Sequence, residues 1–554
     1  MVTRNKLAIL RRIFDAVPLW PLGAGDKKSC QQLLSGALAK ASSGEVDGEL
    51  VHCAVSLADW SWQFNPLAED LLPLLKLLQE SGADFGPASG LIQALTAAVV
   101  QAPGVNFSEM SVETKLKYLP HTVHFLPKTW EQCRTALLQG EEGPMQELLR
   151  ALPAVTGLPH LACLASRLRA EALLLGQSDH SPEAALDLLE EVDESLFGAW
   201  KTWQLAKLQL KHGDTAGAAT QLAALARQYF WHPNLTLVAH DLLHPLPQLS
   251  ADFTPPAILL YSWNKCEALR TTLESLRASG TGAAPVFVLD NGSSDGTADM
   301  LKSVQDSWGT EFNLISLPAN VGAPAARNWL LSLPEVRDRE YAAFLDDDVI
   351  LPQGWMQALM RVAAAKPKAG SVGCCVTDHI PPFGIQAADF HLLSPTEGMR
   401  SFVDVQEHIF PFCQALGQHD TFPFHYTRIC ASVTGCCHLL SMRSVADIGV
   451  FDVRFNPSQF DDLERDLRLG RHNWEVYFHG PLTVRHMQHS SLRQAMTVQQ
   501  QAHIMGNRLK LEHLFTAKEA AALQQNTRQR AEEDLLRKCA ALDKLPGAAP
   551  QPKK

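Results

Sequence analysis

Aspartates recur where this chain could do chemistry. Asp290 closes the apolar run Pro285–Leu289, and Asp346, Asp347 and Asp348 follow the run Tyr341–Leu345. A carboxylate at a strand end can accept hydrogen bonds from a base or a ribose, and Asp290 is placed to do so. Gly292 and Gly296 let the chain turn sharply beside it, and Asp295 suits the cap of a following helix. The strand period of two points Asp346 and Asp348 the same way, with Asp347 opposite if the strand persists. Like charges on one side repel unless a cation lies between them. Hard oxygen ligands suit magnesium or manganese, which also hold substrate phosphates. An isolated acidic triplet is usually a solvated turn or a helix cap. This one stands third in a series of strand ends, which favours a nucleotide and a metal.

Three short apolar runs must position these groups: Ala257–Tyr261, Pro285–Leu289 and Tyr341–Leu345. Each is bounded by turn formers and reads as a buried strand. Segments of helical length, Cys266–Ala278 and Thr297–Ser307, lie between them. Strands alternating with helices predict a parallel sheet covered on both faces, with ligands beyond the carboxyl ends of the strands.

Ser262-Trp263-Asn264, Asp290 to Thr297, Asn320-Val321-Gly322 with Ala326-Arg327-Asn328, and Asp346-Asp347-Asp348 occur in this order. Together they resemble the nucleotide-binding half of a family 2 glycosyltransferase with the α/β GT-A fold, Rossmann-like in its nucleotide-diphospho-sugar half. The resemblance implies a nucleotide-sugar donor held by Ser262, Asn264, Asp290, Asn291, Asn320, Gly322, Arg327, Asn328, Asp346 and Asp347. It implies that the triplet is the family's Asp-x-Asp motif, with Asp346 facing the donor and Asp348 on the metal, Mn2+ or Mg2+. Arg327 would contact donor phosphate; the alternative is a salt-bridged surface arginine.

A second half of the site follows. Ser432–Leu440 reads as a strand crossing the site, with Gly435 for close backbone approach. Sugar transfer needs a base for the acceptor hydroxyl, and a carboxylate at a helix start is a natural choice. Asp461-Asp462 supplies it, unless both merely cap the helix. The family motif is Glu-Asp-x-Asp-Leu, and this chain has Asp461-Asp462-Leu463-Glu464-Arg465. Asp462 matches the central aspartate and is the expected base, with Asp461 the competitor. Strands are expected at Glu475–His479 and Leu482–His486. The resemblance gives His486 as a further metal ligand beside Asp346 and Asp348, with His489 nearby. Arg493 and Arg508 could close over phosphates, though nothing selects them.

The chain has 554 residues, too many for one core, and a formal net charge of −11. That charge argues against nonspecific nucleic-acid binding as the main role. No stretch approaches the length of a transmembrane helix. Arg11, Arg12 and Asp15 interrupt what would be the apolar core of a signal peptide, so Met1–Trp20 reads as an amphipathic helix. The 12 cysteines include the adjacent pairs Cys374-Cys375 and Cys436-Cys437 and no Cys-x-x-Cys. They read as small buried apolar residues in a reducing compartment, which predicts a cytoplasmic protein.

Residues 1–140 read as a helical N-terminal domain, with a leucine-rich packed helix over Leu67–Leu78 and structural histidines at His121 and His124. Residues 141–248 read as tetratricopeptide-like repeats. Pro182–Leu189 aligns with Ala216–Ala223 at an offset of about 34 residues, the period of such repeats. The concave face of such a stack suits a peptide, as in a partner- or acceptor-binding module; the alternative is a helical stack that merely packs on the enzyme domain. The proline-rich stretch His244–Pro256 breaks the helical pattern. The transferase-like domain is expected over 249–490, C-terminal helices over 491–545, and a disordered tail over 546–554. Aromatics in Thr377–Ile429 could stack on sugars or fill the local core.

The resemblance implies a metal-dependent, inverting transfer of a sugar from a nucleotide-sugar donor to a glycan or protein hydroxyl. The main alternative is a non-catalytic nucleotide-sugar-binding scaffold that uses its helical repeats for partner binding. A nucleotidyltransferase fits less well, because Tyr261–Lys265 lacks the glycine-rich loop that such enzymes place after the first strand.

Overall fold

The computed structural model describes residues 2–23, 27–38, 46–96, 110–111, 114–115, 125–152, 161–175, 182–250, 252–308, 311–393, 407–487 and 497–545. His121, His124, His489, Arg493 and the tail lie outside them. The chain divides into two compact units, Met1–Leu243 with Leu536–Lys554, and His244–Leu535.

The described part of the first unit is helical. It runs α1 (Val2–Ala16), α2 (Lys27–Leu38), α3 (Gly48–Phe64), α4 (Leu72–Glu80), α5 (Ala88–Thr96), α6 (Leu126–Leu138) and α7 (Gly143–Ala151). It continues with α8 (Leu161–Leu175), α9 (Pro182–Glu190), α10 (Glu194–Lys211), α11 (Thr215–Gln228) and α12 (Pro233–Leu243). α1 is amphipathic: Ile9, Leu10, Ile13 and Phe14 are buried, while Arg12 pairs with Asp47. α4 starts later than its leucines suggest, with Pro73 in its first turn, and Leu77 faces solvent. The aligned segments fall on α9 and α11, with α10 between them. Asp193 and Asp214 cap α10 and α11 by accepting backbone N–H bonds.

The second unit is built on a sheet of β1 (Ala257–Ser262), β2 (Val286–Asp290), β3 (Phe312–Ser316), β4 (Tyr341–Leu345), β5 (Val349–Ile350), β6 (Ala369–Asp378), β7 (Ile385–Ala387), β10 (Thr427–Cys430), β11 (Cys437–Ser441) and β12 (Glu475–His486). A separate two-stranded ribbon joins β8 (His391–Leu393) and β9 (Phe410–Phe412). The main order is β10-β12-β6-β11-β4-β1-β2-β3. β1 runs parallel to β2 and β4, and β2 parallel to β3; β11 is antiparallel to β4 and β6.

The helices here are α13 (Cys266–Ala278), α14 (Thr297–Trp308), α15 (Ala323–Ser332), α16 (Pro334–Arg337), α17 (Trp355–Ala365), α18 (Met442–Ile448), α19 (Asp461–Arg471) and α20 (Val498–Leu514). The last helix, α21 (Ala517–Asp543), divides between the units at Leu535. Continuous apolar strands feed two cores by period two. Ile258, Leu260, Val286 and Val288 pack with Leu269, Leu273, Leu301 and Trp355 on one face. Ala257, Leu259, Phe287 and Leu289 pack with Ala326, Leu330, Phe344 and Phe451 on the other. Full burial on both faces explains why these strands lack polar alternation.

Two elements differ from expectation. Residues Glu475–His486 form one strand rather than two, with a register shift between His479 and Thr483 that absorbs Gly480-Pro481. The crossing strand begins only at Cys437, so Ser432–Cys436 arrives as irregular chain. Phe410, Phe422 and Phe424 are buried, so these aromatics fill local core.

Candidate active site

Register brings the polar strand ends to one edge. Ser262 lies opposite Asp290, and Asp290 opposite Ser316. Leu345 pairs with both Leu260 and Cys437, which puts Asp346 just beyond them. His486 arrives from the far side of the sheet, paired with Val349 and Asp378. The Met487 N–H donates to the Asp348 carbonyl at 2.7 Å.

The residues expected on the donor side form a tied rim. Asp290 is buried, and its Oδ1 accepts from the Ser293 N–H at 3.0 Å. Asn264 takes a left-handed φ of 54°, and its Oδ1 accepts from the Ser294 N–H at 2.7 Å. Asn291 Nδ2 donates to Asn320 Oδ1 at 3.0 Å, and the Val321 and Gly322 N–H groups donate to Asn291 and Asn320. Gly292 has φ 73°, and a Cβ there would lie 2.6 Å from the Ala319 backbone. Asp295 accepts the first N–H groups of both α13 and α14, from Cys266 and Thr297. Asn328 grips Phe451 at both its backbone N–H and its carbonyl.

The triplet does not continue β4. The strand stops at Leu345, and the next residues turn. Asp347 is buried and accepts from Ser262 Oγ at 2.7 Å. Lys265 Nζ lies 3.1 Å from Asp347 and 2.9 Å from Asp348. Burial pushes the Asp347 carboxyl up to about 6, with Lys265 opposing. Burial also resists ionisation of Asp348. The bond from His486 at 2.9 Å and the Lys265 ammonium outweigh it and hold that carboxyl at about 2.

Gln386 fixes the His486 ring. Gln386 Nε2 donates to Asp378 Oδ1 at 2.5 Å, so its Oε1 faces His486 Nδ1 at 2.8 Å. An amide oxygen only accepts, so His486 carries a proton on Nδ1. Its Nε2 faces the acids, and bonding the Asp348 carboxylate there requires a second ring proton; burial opposes it, but Asp348 favours it and raises the His486 pKa. Ligand atoms of Asp346, Cys436 and His486 all lie within 4.8 Å of one another. This carboxylate, thiol and imidazole set, with Asp348 beside it, fits a divalent cation.

The second half meets the first at Arg327. Its buried guanidinium pairs with Asp461 and lies 3.6 Å from Asp346, with its carbon 5.3 Å from the Tyr261 ring centre and 5.2 Å from that of Phe451. Burial works against the charge on Arg327, but Asp461, Tyr261 and Asp346 outweigh it and raise its pKa. Burial raises the Asp461 carboxyl, and Arg327 opposes that. Asp462 is only half-buried. Its Oδ2 accepts from the Gly435 N–H at 2.9 Å, and its Oδ1 from the Leu463 N–H at 2.8 Å. A Cβ at Gly435 would come 2.9 Å from Arg327 Nη2, so glycine lets the backbone lie between Arg327 and Asp462.

Residues 258–423 match the family model for Glycosyl transferase family 2. The chain carries a family 2 glycosyltransferase domain. The transferase domain has the α/β GT-A arrangement that the motifs imply, and the matched stretch holds the tied rim from Asn264 to Asn328 and the aspartate triplet. Asp461, Asp462, Cys436 and His486 lie beyond that stretch. Among curated proteins nothing matches. Among solved structures, the chain is 11% identical to GalNAc-T7, crystallised with UDP, GalNAc and Mn2+, with a TM-score of 0.37 over 48% of this chain and 49% of that one. It is 12% identical to the mannosyltransferase PcManGT from Pyrobaculum calidifontis, in complex with GDP-Man and Mn2+, with a TM-score of 0.33 over 59% of this chain and 84% of that one. The chain thus aligns with about half the length of GalNAc-T7.

Sequence reasoning missed Lys265 and Cys436. Lys265 was visible only as a residue after a strand end, and Cys436 read as apolar filling. Arg508 is engaged by Glu512 at 2.8 Å and by the Ile409 carbonyl.

Proposed function

We propose that this chain is a metal-dependent, inverting glycosyltransferase that moves a sugar from a nucleotide-sugar donor to a hydroxyl of a glycan or protein acceptor. One observation carries the reading: a single buried guanidinium, Arg327, touches the acidic ends of both halves, Asp346 and Asp461. The half-buried Asp462 is left beside them, facing the Gly435 backbone.

Asp290, Asn291 and Asn320 line the rim where a base and ribose would bind. Asp346, Asp348 and His486, with Cys436, would hold a manganese or magnesium ion. When bound, such an ion supplies counter-charge to the leaving nucleoside diphosphate. Asp461 is committed to Arg327, so Asp462 is the base of the pair. Its carboxylate takes the acceptor hydroxyl proton as the oxygen attacks the anomeric carbon, opposite the departing diphosphate. The bond to that carbon forms on the face away from the leaving group, so the configuration inverts.

The α9–α12 stack is a candidate site for a protein acceptor. No described helix is long and apolar enough to cross a membrane. The unbridged cysteines, mostly buried, favour a reducing compartment such as the cytoplasm.

Asp462→Asn tests the assignment. Wild type should release nucleoside diphosphate from one member of a nucleotide-sugar panel. The variant should bind that donor normally and turn it over about 100-fold or more slowly. Unchanged turnover would remove Asp462 from the mechanism. Donor binding by wild type with no turnover on any acceptor would favour the scaffold.

A further inference from the structure

The loop that delivers the acid pair is tied on two sides. On the donor side, Asn456 Nδ2 donates to the Val321 carbonyl at 2.8 Å, and the Ala323 N–H donates to the Pro457 carbonyl at 2.7 Å. Val321 is itself bonded to Asn291 at the donor rim. On the other side stands α20, outside the residues matched by the family model. There Asn507, 2% exposed, donates from Nδ2 to the carbonyls of Phe455 and Ser458, each at 2.8 Å, and to that of Gln459 at 3.3 Å. Lys510 Nζ donates to Asn507 Oδ1 at 2.8 Å and to the Arg454 carbonyl at 2.6 Å. An ammonium can only donate, so Lys510 fixes which end of the amide faces the loop.

The loop needs such a hold. Gln459 and Phe460, the two residues before Asp461, both have left-handed φ, 82° and 69°. Neither is glycine, and such conformations persist only where surrounding contacts impose them. Phe460 directly precedes the first residue of α19, so a relaxed loop would swing Asp461 and Asp462 away from Arg327 and Gly435. The seat of α20 has separate support: its Leu511 packs with Phe455, Leu463 and Leu467 in an apolar cluster. Loss of one amide should therefore loosen the loop without undocking the helix.

We propose that Asn507 is a positioning residue for the transfer, clamping residues 455–459 so that Asp462 meets the acceptor at the correct place. Helix α20 is then part of the catalytic apparatus. This rests on the transferase reading above.

The test uses the full chain as wild type, Asn507→Leu and Asn507→Gln. Amide hydrogen exchange, nucleoside diphosphate binding with Mn2+, and donor turnover are measured for each. In Asn507→Leu, exchange at residues 459–463 should rise about tenfold or more, reporting local opening rather than global unfolding. Nucleotide affinity should hold within about threefold while kcat falls about 10- to 100-fold, as expected for a misplaced catalytic group. Asn507→Gln keeps the donor and should recover part of kcat. If Asn507→Leu does not fold, Lys510→Met, which frees the amide to rotate, is read in the same three ways. Unchanged exchange at 459–463 in a folded variant overturns the clamp, and so does normal kcat with raised exchange. If wild type binds no nucleotide, the transferase reading fails by itself, and exchange alone decides whether Asn507 holds the loop.

Discussion

Replacing Arg327 with methionine should expose what this residue does. The change keeps much of the side-chain length and removes the charge. Asp461, 3% exposed, then loses its only ion-pair partner among the described residues, and Asp346 loses a neighbouring cation. Breaking a buried pair by removing one member costs about 3–5 kcal/mol, because the other charge is left uncompensated. Two aromatic contacts, with Tyr261 and Phe451, are weakened as well. The deficit should depend on pH. Without Arg327, the Asp461 carboxyl is raised further by burial, so the folded variant holds a proton that the unfolded chain releases near pH ~4. Stability is then lost as pH rises from there through the folded pKa, with a slope of up to about 1.4 kcal/mol per pH unit. The assay is urea unfolding of wild type, Arg327→Met, Asp461→Asn and the double variant, at pH 5 and pH 8. The single Arg327 variant should be most impaired at pH 8, and adding Asp461→Asn should restore most of the loss. A cost below about 1 kcal/mol at both pH values, with no coupling in the cycle, would refute the idea that Arg327 bridges the two halves.

Other consequences can be checked in parallel. Burial pushes the Asp466 carboxyl up to about 7 while it accepts from Ser432 Oγ and the Val433 N–H. It therefore binds a proton in the folded state that the unfolded chain has lost. Its contribution is present below pH ~4 and falls away as pH rises to about 7, by about 4 kcal/mol in total. Asp466→Asn should flatten that part of the stability–pH curve, and an unchanged curve would show that Asp466 does not titrate there. Gln386→Leu removes the acceptor that orients His486. It should weaken Mn2+ binding about 10- to 100-fold by calorimetry, and equal affinity would mean that the ring needs no outer partner.

Much of the transferase domain was legible because its signals are local. Period-two burial in Ala257–Tyr261, the turn at Gly292 and the cap at Asp295 are each set by residues within a few positions. The order of the polar strand ends indicated that they share one edge of the sheet, as the register shows. Contacts distant in sequence were not legible. Lys265 reaches Asp347 and Asp348 across 82 and 83 residues, and nothing near it marks it as more than a helix-start lysine. Arg327 meets Asp461 across 134 residues, so its burial could not be told from a surface pair. The alternation rule for Asp346–Asp348 did not apply because the strand ended first. Cys436 joins Asp346 and His486 only because β11 lies beside β4, and a cysteine within an apolar run otherwise reads as core.

The central claim is that the acidic edge binds a nucleotide through a divalent cation. Calorimetry with a panel of nucleoside diphosphates, with and without Mn2+, on wild type and Asp348→Ala, tests it most directly. The account predicts that one nucleotide binds in a Mn2+-dependent way and that Asp348→Ala abolishes that binding. Absence of binding by any nucleotide at any metal concentration, or equal binding by the variant, would contradict it.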